Sequence, residues 1–378
     1  VADDVAGMDL VWQEGRNFFF EYKLERVAGE EADEVYLFGQ GGYGTVLGCE
    51  PVFPTTLPPP PLVVKRIDPL GASREQAMDL YNREVCTARA AKVAMARLGF
   101  DDFLVGILDG YMCFDQVTSR YPIFVVMERL PTAIPYSLSI PRGAPMPPPG
   151  CIADAPETFG SDVDLYDYVT GTPRNPPRRL SLFDARMVVK QLLTVLAALH
   201  ERGYVHRDVK LDNVMIAGWE TRSAVQYMRV KLGDFSLMRD YSDHTVAVTS
   251  TAGSRHFQPP EQQRVPLPPD FRYDGREDVF AVGCVWYACV TGNTHLTEEA
   301  AALRHPAVAA LIRRPAEVAD SDDVEARMYL DARFPIGFRN PDGTLTTDGV
   351  LLMAMTRRRR YQRCTAAAAL TEAVIRDE

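Results

Sequence analysis

The chain predicts an α+β, two-lobed fold. Strand patterns crowd into the first third, a proline-rich break follows, and helical periodicity takes over after residue 180. Residues 1–34 read as an N-terminal extension rich in acids and aromatics, including Phe18-Phe19-Phe20-Glu21-Tyr22. Residues 35–130 then form the strand-rich lobe, and residues 131–378 the helix-rich one.

Taken in order, Val35 to Cys49 reads as strand, glycine turn, strand. Pro58-Pro59-Pro60-Pro61 marks a loop before the short strand Leu62-Val63-Val64. Arg74 to Leu98 is Ala-rich and charged on one side, so it reads as a helix. Tyr121 to Glu128 is apolar and fits a buried strand. Residues 131–160 hold seven prolines up to Pro149, which excludes a continuous helix or a central strand. From Leu180 the pattern is helical. Ser181 and Asp184 have capping-box spacing ahead of Met187, Val188, Leu192, Leu196 and Leu199. Short strands are expected around Val214 and Val230, an apolar helix over Asp278 to Val290, and an Ala-rich helix from Thr365.

The composition is that of a globular protein: 46% hydrophobic, 24% charged, 378 residues. A net charge of −10 argues against unspecific nucleic-acid binding. The seven cysteines, Cys49, Cys86, Cys113, Cys151, Cys284, Cys289 and Cys364, form no CxxC, so neither a zinc ribbon nor a redox motif is expected. Their scatter favours buried thiols in a reducing, cytoplasmic compartment. The longest apolar stretch, Val279 to Val290, is too short to span a bilayer. The first residue is Val1, not Met, so targeting cannot be read from this N-terminus.

Four segments carry chemistry. Gly39-Gln40-Gly41-Gly42-Tyr43-Gly44-Thr45-Val46 matches GxGxxGxV, in which backbone N–H groups can close over phosphates. A plain glycine-rich hairpin is the bland alternative. A dinucleotide fold needs a helix directly after the loop, and Thr45-Val46-Leu47 is strand-like instead. A lysine on a strand is ordinarily a snorkelling surface charge. Lys65, behind an apolar triplet and downstream of the glycine loop, reads instead as a phosphate ligand. Glu84, alone, would be a solvated helix residue; with Lys65 it forms a candidate ion pair.

His206-Arg207-Asp208-Val209-Lys210-Leu211-Asp212-Asn213 is the most specific segment. Asp208 is placed to accept the proton of an attacking hydroxyl, Lys210 to stabilise charge on a moving phosphoryl group, and Asn213 to hold Mg²⁺. Asp234-Phe235-Ser236 follows the strand Val230-Lys231-Leu232, which would deliver Asp234 to the metal.

Read together, these motifs resemble the eukaryotic protein kinase family, Ser/Thr type, from about Val35 to the C-terminus. The resemblance implies a bilobal fold, with an antiparallel sheet plus helix C in the N-lobe and a mainly helical C-lobe. It implies ATP and Mg²⁺ as cofactors and a protein Ser or Thr hydroxyl as acceptor. It places Gly39, Gly41, Gly44 and Val46 over the phosphates and Lys65 with Glu84 as the lysine–helix pair. It also places Val63 and Met215 about adenine, Met127 as gatekeeper, and Glu128 and Leu130 in the hinge. Ser254 would contact Asp208 and Lys210. Gln258-Pro259-Pro260-Glu261 ends the activation segment, with Arg363 opposite Glu261, and Asp278 anchors the catalytic loop. Arg207 would receive a phosphate carried on Ser250, 11 residues before Glu261. The pattern departs at Ser236, where the family has glycine, at Val63 in place of alanine, and at Pro260. Segment 131–160 is expected to serve as a docking or shielding loop, or as an inert excursion. The run Arg357-Arg358-Arg359-Arg360 is a solvated face or a patch for an acidic partner. A nucleotide-binding pseudokinase, motivated by Ser236 and the insertion, is the alternative function.

Overall fold

The computed structural model describes residues 18–25, 34–41, 44–53, 61–69, 71–115, 119–131, 136–139, 164–172, 175–222, 224–241, 253–259, 261–262, 272–292, 294, 337–357 and 360–376. The chain divides into two compact units, residues 1–94 with 105–161, and residues 95–104 with 162–378.

The first unit is built on a seven-stranded antiparallel sheet. Its strands are β1 (Tyr22–Leu24), β2 (Glu34–Gly41), β3 (Gly44–Pro51), β4 (Leu62–Ile67), β5 (Ile107–Met112), β6 (Ile123–Glu128) and β7 (Tyr136–Ser139). They run in the order β5-β6-β4-β3-β2-β7, with β1 added against the end of β3. Side chains alternate across a strand. Thus Val35 and Leu37, Leu47 and Cys49, Leu62 and Val64, and Phe124 and Val126 build one core on one face. Val63, Lys65, Val125 and Met127 fall on the other. Both faces are covered, which is why all six residues of β4 are buried.

The first face is closed by the segment that composition assigns to an extension. The short helix α1 (Phe18–Glu21) inserts Phe18, which stacks on Phe124 at 5.1 Å and on Tyr22 at 5.7 Å. Phe18, with Tyr22 and Leu24 packed beside it, therefore belongs to the first unit's core. β7 occupies the sheet edge beside β2. Apart from Pro131 and β7, segment 131–160 lies outside the described residues.

The second face meets one helical run in three parts: α2 (Arg74–Tyr81), a π-helical stretch (Asn82–Thr87) and α3 (Ala88–Ala96). Ser73 opens it with a complete capping box to Gln76. The π stretch is a departure from the plain helix expected; its wider turn buries Glu84 and Val85 side by side. Tyr81 donates to the Gly110 carbonyl, and Val85 fills the space above Gly110 that a side chain there would take.

The second unit is mainly helical: α4 (Leu165–Thr170), α5 (Leu182–Glu201), α6 (Arg276–Thr291), α7 (Thr347–Met355), α8 (Ala366–Thr371) and α9 (Ala373–Arg376). Ser181 caps α5 through the Asp184 N–H, but the Asp184 carboxylate turns to the Ser181 hydroxyl rather than its backbone, so the box is half formed. α6 is buried over most of its circumference, consistent with its unbroken apolar run. Arg186 of α5 clamps Asp348 of α7 with two bonds of 2.7 Å. The short strands expected near Val214 and Val230 are a long hairpin, β9 (Val214–Arg222) and β10 (Val225–Leu232), next to the small pair β8 (Tyr204–Val205) and β11 (Arg239–Asp240). Gln191 of α5 ties this hairpin down, donating to the Met228 carbonyl and accepting from the Val230 N–H. Among the described residues, no helix is long and apolar enough to cross a membrane.

Candidate active site

In the first unit the glycine segment is a hairpin. β2 runs straight into β3, with Gly39 opposite Val46 and Gly41 opposite Gly44; Gly42 and Tyr43 lie outside the described residues. A strand where a dinucleotide fold requires a helix removes that alternative. Gly44 has φ +138°, and a Cβ there would meet the Arg66 carbonyl oxygen at 2.4 Å, so the turn demands glycine.

Val46 pairs with Lys65 in the β3–β4 register, and Val63 with Met127 in the β4–β6 register. Lys65 Nζ lies 3.2 Å from Glu84 Oε1, with both residues buried. A buried ammonium without a carboxylate partner would be costly, so each residue explains the other. The Glu128 side chain accepts the Gly106 N–H at 2.5 Å, and Leu130 is buried.

The second unit collects the remaining residues around Asp208. Asp208 Oδ1 accepts the Ser254 N–H at 2.8 Å and the Ser254 hydroxyl at 3.1 Å. Its Oδ2 faces Lys210 Nζ at 3.0 Å and accepts from Asn213 Nδ2 at 3.1 Å. Lys210 in turn donates to Ser254 Oγ at 3.0 Å. Both carboxylate oxygens are thereby oriented, and the amino group is held beside them. Asn213 uses its amide nitrogen twice, on the Asp208 side chain and on the Asp208 carbonyl at 2.7 Å. Its amide oxygen remains for a hard cation, which prefers oxygen donors. Asp234, half-buried and accepting the Ser236 N–H on Oδ1 at 3.4 Å, carries oxygen donors of the same hard kind, a chemistry that fits Mg²⁺.

Two of these residues sit in left-handed backbone although they are not glycine: Arg207 at φ +71° and Asp234 at φ +57°. Such conformations persist where the surroundings enforce them. Asp278 does so for Arg207. Its two oxygens accept the backbone N–H groups of His206 at 2.9 Å and Arg207 at 2.8 Å. Burial alone would raise the Asp278 carboxyl; the His200 hydrogen bond and charge, joined by His206, hold it below the ordinary aspartate value. Around Asp234, the Gly233 N–H bonds the Asn213 carbonyl, His206 Nε2 contacts the Gly233 carbonyl, and Phe235 packs edge-on to His206. Ser236 is buried without a positive φ, so serine takes this turn without strain, although its hydroxyl has no hydrogen-bond partner among the described residues.

Met215 is half-buried on β9. Glu261 and Arg363 meet in a two-bonded pair at 2.6 and 2.5 Å, 102 residues apart. Ser250 and Pro260 lie outside the described residues. His200, Gly275 and Tyr273 were not singled out by sequence. His200 bonds Asp278 at 2.9 Å, and Gly275 has no Cβ because one would lie 2.4 Å from the His200 ring. Only the packing of α5 on α6 reveals that dependence.

Comparison with known proteins converges on one family. A family model described as protein kinase domain matches residues 162–375. The serine/threonine-protein kinase PknL of Mycobacterium tuberculosis is 30% identical over 244 residues, covering 64% of this chain and 45% of that protein. The serine/threonine-protein kinase PknB of the same species is 33% identical over 139 residues, 36% of this chain and 19% of that protein. Human serine/threonine-protein kinase ULK1 is 30% identical over 131 residues, 34% of this chain and 11% of that protein. The chain thus spans less than half the length of these relatives.

Proposed function

The chain belongs to the protein kinase family, and we propose that it transfers the γ-phosphoryl group of ATP to a Ser or Thr hydroxyl of a protein substrate. The observation that carries this reading is the environment of Asp208, whose two oxygens are oriented by Ser254, Lys210 and Asn213. In this reading Asp208 accepts the proton of the attacking hydroxyl. Lys210 stabilises charge on the moving phosphoryl group, and Ser254 keeps Lys210 and Asp208 in register. In the first unit, Lys65 held by Glu84 serves as a phosphate ligand, and the hairpin of Gly39, Gly41 and Gly44 offers backbone N–H groups without side-chain obstruction. Asn213 and Asp234 would hold Mg²⁺, which would neutralise charge on the phosphate oxygens. Lys210 two residues after the base, and a hydroxyl at Ser254, support Ser/Thr rather than Tyr as acceptor.

The pseudokinase alternative is not favoured. It rests on Ser236, which the backbone accommodates, and on segment 131–160. Transfer of ³²P from ATP to a generic protein substrate separates the two readings. The wild type should label it, while Asp208→Asn and Asp234→Ala should each lose about 10²-fold or more in rate. Equal labelling by all three proteins would sink the catalytic reading.

A further inference from the structure

The first unit carries one long-range ion pair that the transfer scheme leaves unused. Arg129 lies between Glu128 and Leu130, directly after β6. Its guanidinium donates to Glu25 Oε2 at 2.6 Å, across 104 positions of sequence. It also lies over the Phe38 ring of β2, 5.3 Å from the centroid. The Arg129 backbone N–H donates to the Pro61 carbonyl, just ahead of β4, at 3.2 Å. Groups beside β1, on β2 and beside β4 thus hold the residue that leaves β6.

Glu25 is fixed in its turn. Its N–H donates to the Gly48 carbonyl at 2.9 Å, and its carbonyl accepts the Tyr36 N–H at 3.3 Å. A Cβ on Gly48 would lie 2.8 Å from Glu25 Oε2 and 3.3 Å from the Phe38 ring. Gly48 has no positive φ, so its backbone does not call for glycine. The Glu25 carboxylate and the Phe38 ring fill the place that a side chain would take.

The peptide plane that carries the Glu128 carbonyl and the plane that carries the Leu130 N–H meet at the Arg129 Cα. Holding Arg129 therefore orients both groups. A charge-assisted hydrogen bond and a guanidinium stacked on a ring are suited to that task. Backbone groups bind a ligand more tightly when they are already held in place.

We propose that Glu25 is a positioning residue for nucleotide binding: by holding Arg129 it sets the two hinge peptides that adenine meets. The proposal rests on the kinase reading above, with Glu128 and Leu130 in the hinge. The test uses the full chain, well below its melting temperature. Calorimetric titration gives the Kd for MgADP, and phosphorylation of a peptide gives kcat and KM for ATP. Glu25→Ala should raise Kd and KM about three- to fivefold with kcat within about twofold, the size that a pair with side chains 22% and 27% exposed can transmit. Arg129→Ala should do the same, and the double variant should bind no more weakly than the weaker single. Glu25→Gln, which keeps an acceptor for the arginine, should recover part of the loss. Alanine variants that melt lower yet bind MgADP as the wild type does overturn the proposal, as does a double variant whose losses multiply. If Glu25→Ala does not fold, Arg129→Ala and Glu25→Gln decide by the same Kd. A wild type that binds MgADP but transfers no phosphate overturns the catalytic reading, and the Kd values still decide the role of Glu25. Wild-type transfer with an unchanged Kd in the variants overturns this proposal alone.

Discussion

Asp164 offers a perturbation whose effect should depend on pH alone. It caps α4, its Oδ1 accepting the Asp167 N–H at 2.9 Å, and it is half-buried. Burial, reinforced by the charges of Asp167 and Asp212 and opposed by that hydrogen bond, pushes its carboxyl from 3.8 up to about 8. A carboxyl raised in the folded state contributes fully below its unfolded value, near pH 4. That contribution is lost as pH rises through about 8. At ~1.4 kcal/mol per pH unit the loss has an upper bound on the order of 5 kcal/mol at pH 8, and partial solvent access lowers it. Asparagine caps a helix as well as aspartate and cannot ionise. Asp164→Asn should therefore gain stability over the wild type as pH rises, the difference growing by roughly 2–4 kcal/mol between pH 5 and pH 8. Urea denaturation at several pH values measures it, and titrating groups other than the coupled Asp167 and Asp212 cancel in the comparison. A difference that stays constant across that range, or a variant less stable at pH 8, would refute the assignment.

Three further outcomes follow from single contacts. Arg363→Ala should cost about 3–5 kcal/mol by chemical denaturation, because it leaves Glu261 without its two-bonded partner. Arg363→Lys should recover little of it, since an ammonium cannot reproduce the fork. Phe18→Ala should cost about 3–5 kcal/mol and speed proteolysis of the first unit, as expected for a fully buried ring; an unchanged melting curve would return residues 18–25 to the status of an appendage. Ser236→Ala removes a buried hydroxyl that has no partner among the described residues and keeps the Cβ, so it should stabilise the ligand-free protein by about 1 kcal/mol. A loss of stability would mean that the hydroxyl is satisfied in solution.

What the sequence shows and hides follows from how local each feature is. The catalytic loop is legible because its chemistry needs fixed residue types at fixed spacing within eight positions, and the structure gathers Asp208, Lys210 and Asn213 as that spacing implies. Lys65 with Glu84 was readable from the glycine loop and the strand before Lys65, whereas Arg363 opposite Glu261 came from the resemblance alone; the geometry pairs both. The π stretch escaped because one widened turn leaves the average helical period of residues 74–98 intact. The hairpin β9–β10 was read too short because β9 passes through Ala217-Gly218-Trp219 and the register slips between Arg229 and Val230. The role of Phe18 could not be read from its own segment, since three adjacent phenylalanines give no face until the sheet supplies one.

The strain in the active segments points to where the second unit's chemistry is assembled. Arg207 and Asp234 both hold left-handed backbone that costs roughly 1–3 kcal/mol each. Arg207 is pinned by Asp278, which is buried in α6 and oriented by His200 at the C-terminal end of α5. Asp234 follows Gly233, whose N–H and carbonyl are taken by Asn213 and His206. The groups that impose the strain thus belong to the helical core and to the catalytic loop itself. Packing α5 against α6 sets His200, His200 sets Asp278, and Asp278 sets the loop that carries Asp208, the proposed base. A core change that shifts α5 by a fraction of an ångström should therefore lower turnover without touching any residue that contacts substrate. Gly275→Ala makes that change directly, since its Cβ would lie 2.4 Å from the His200 ring.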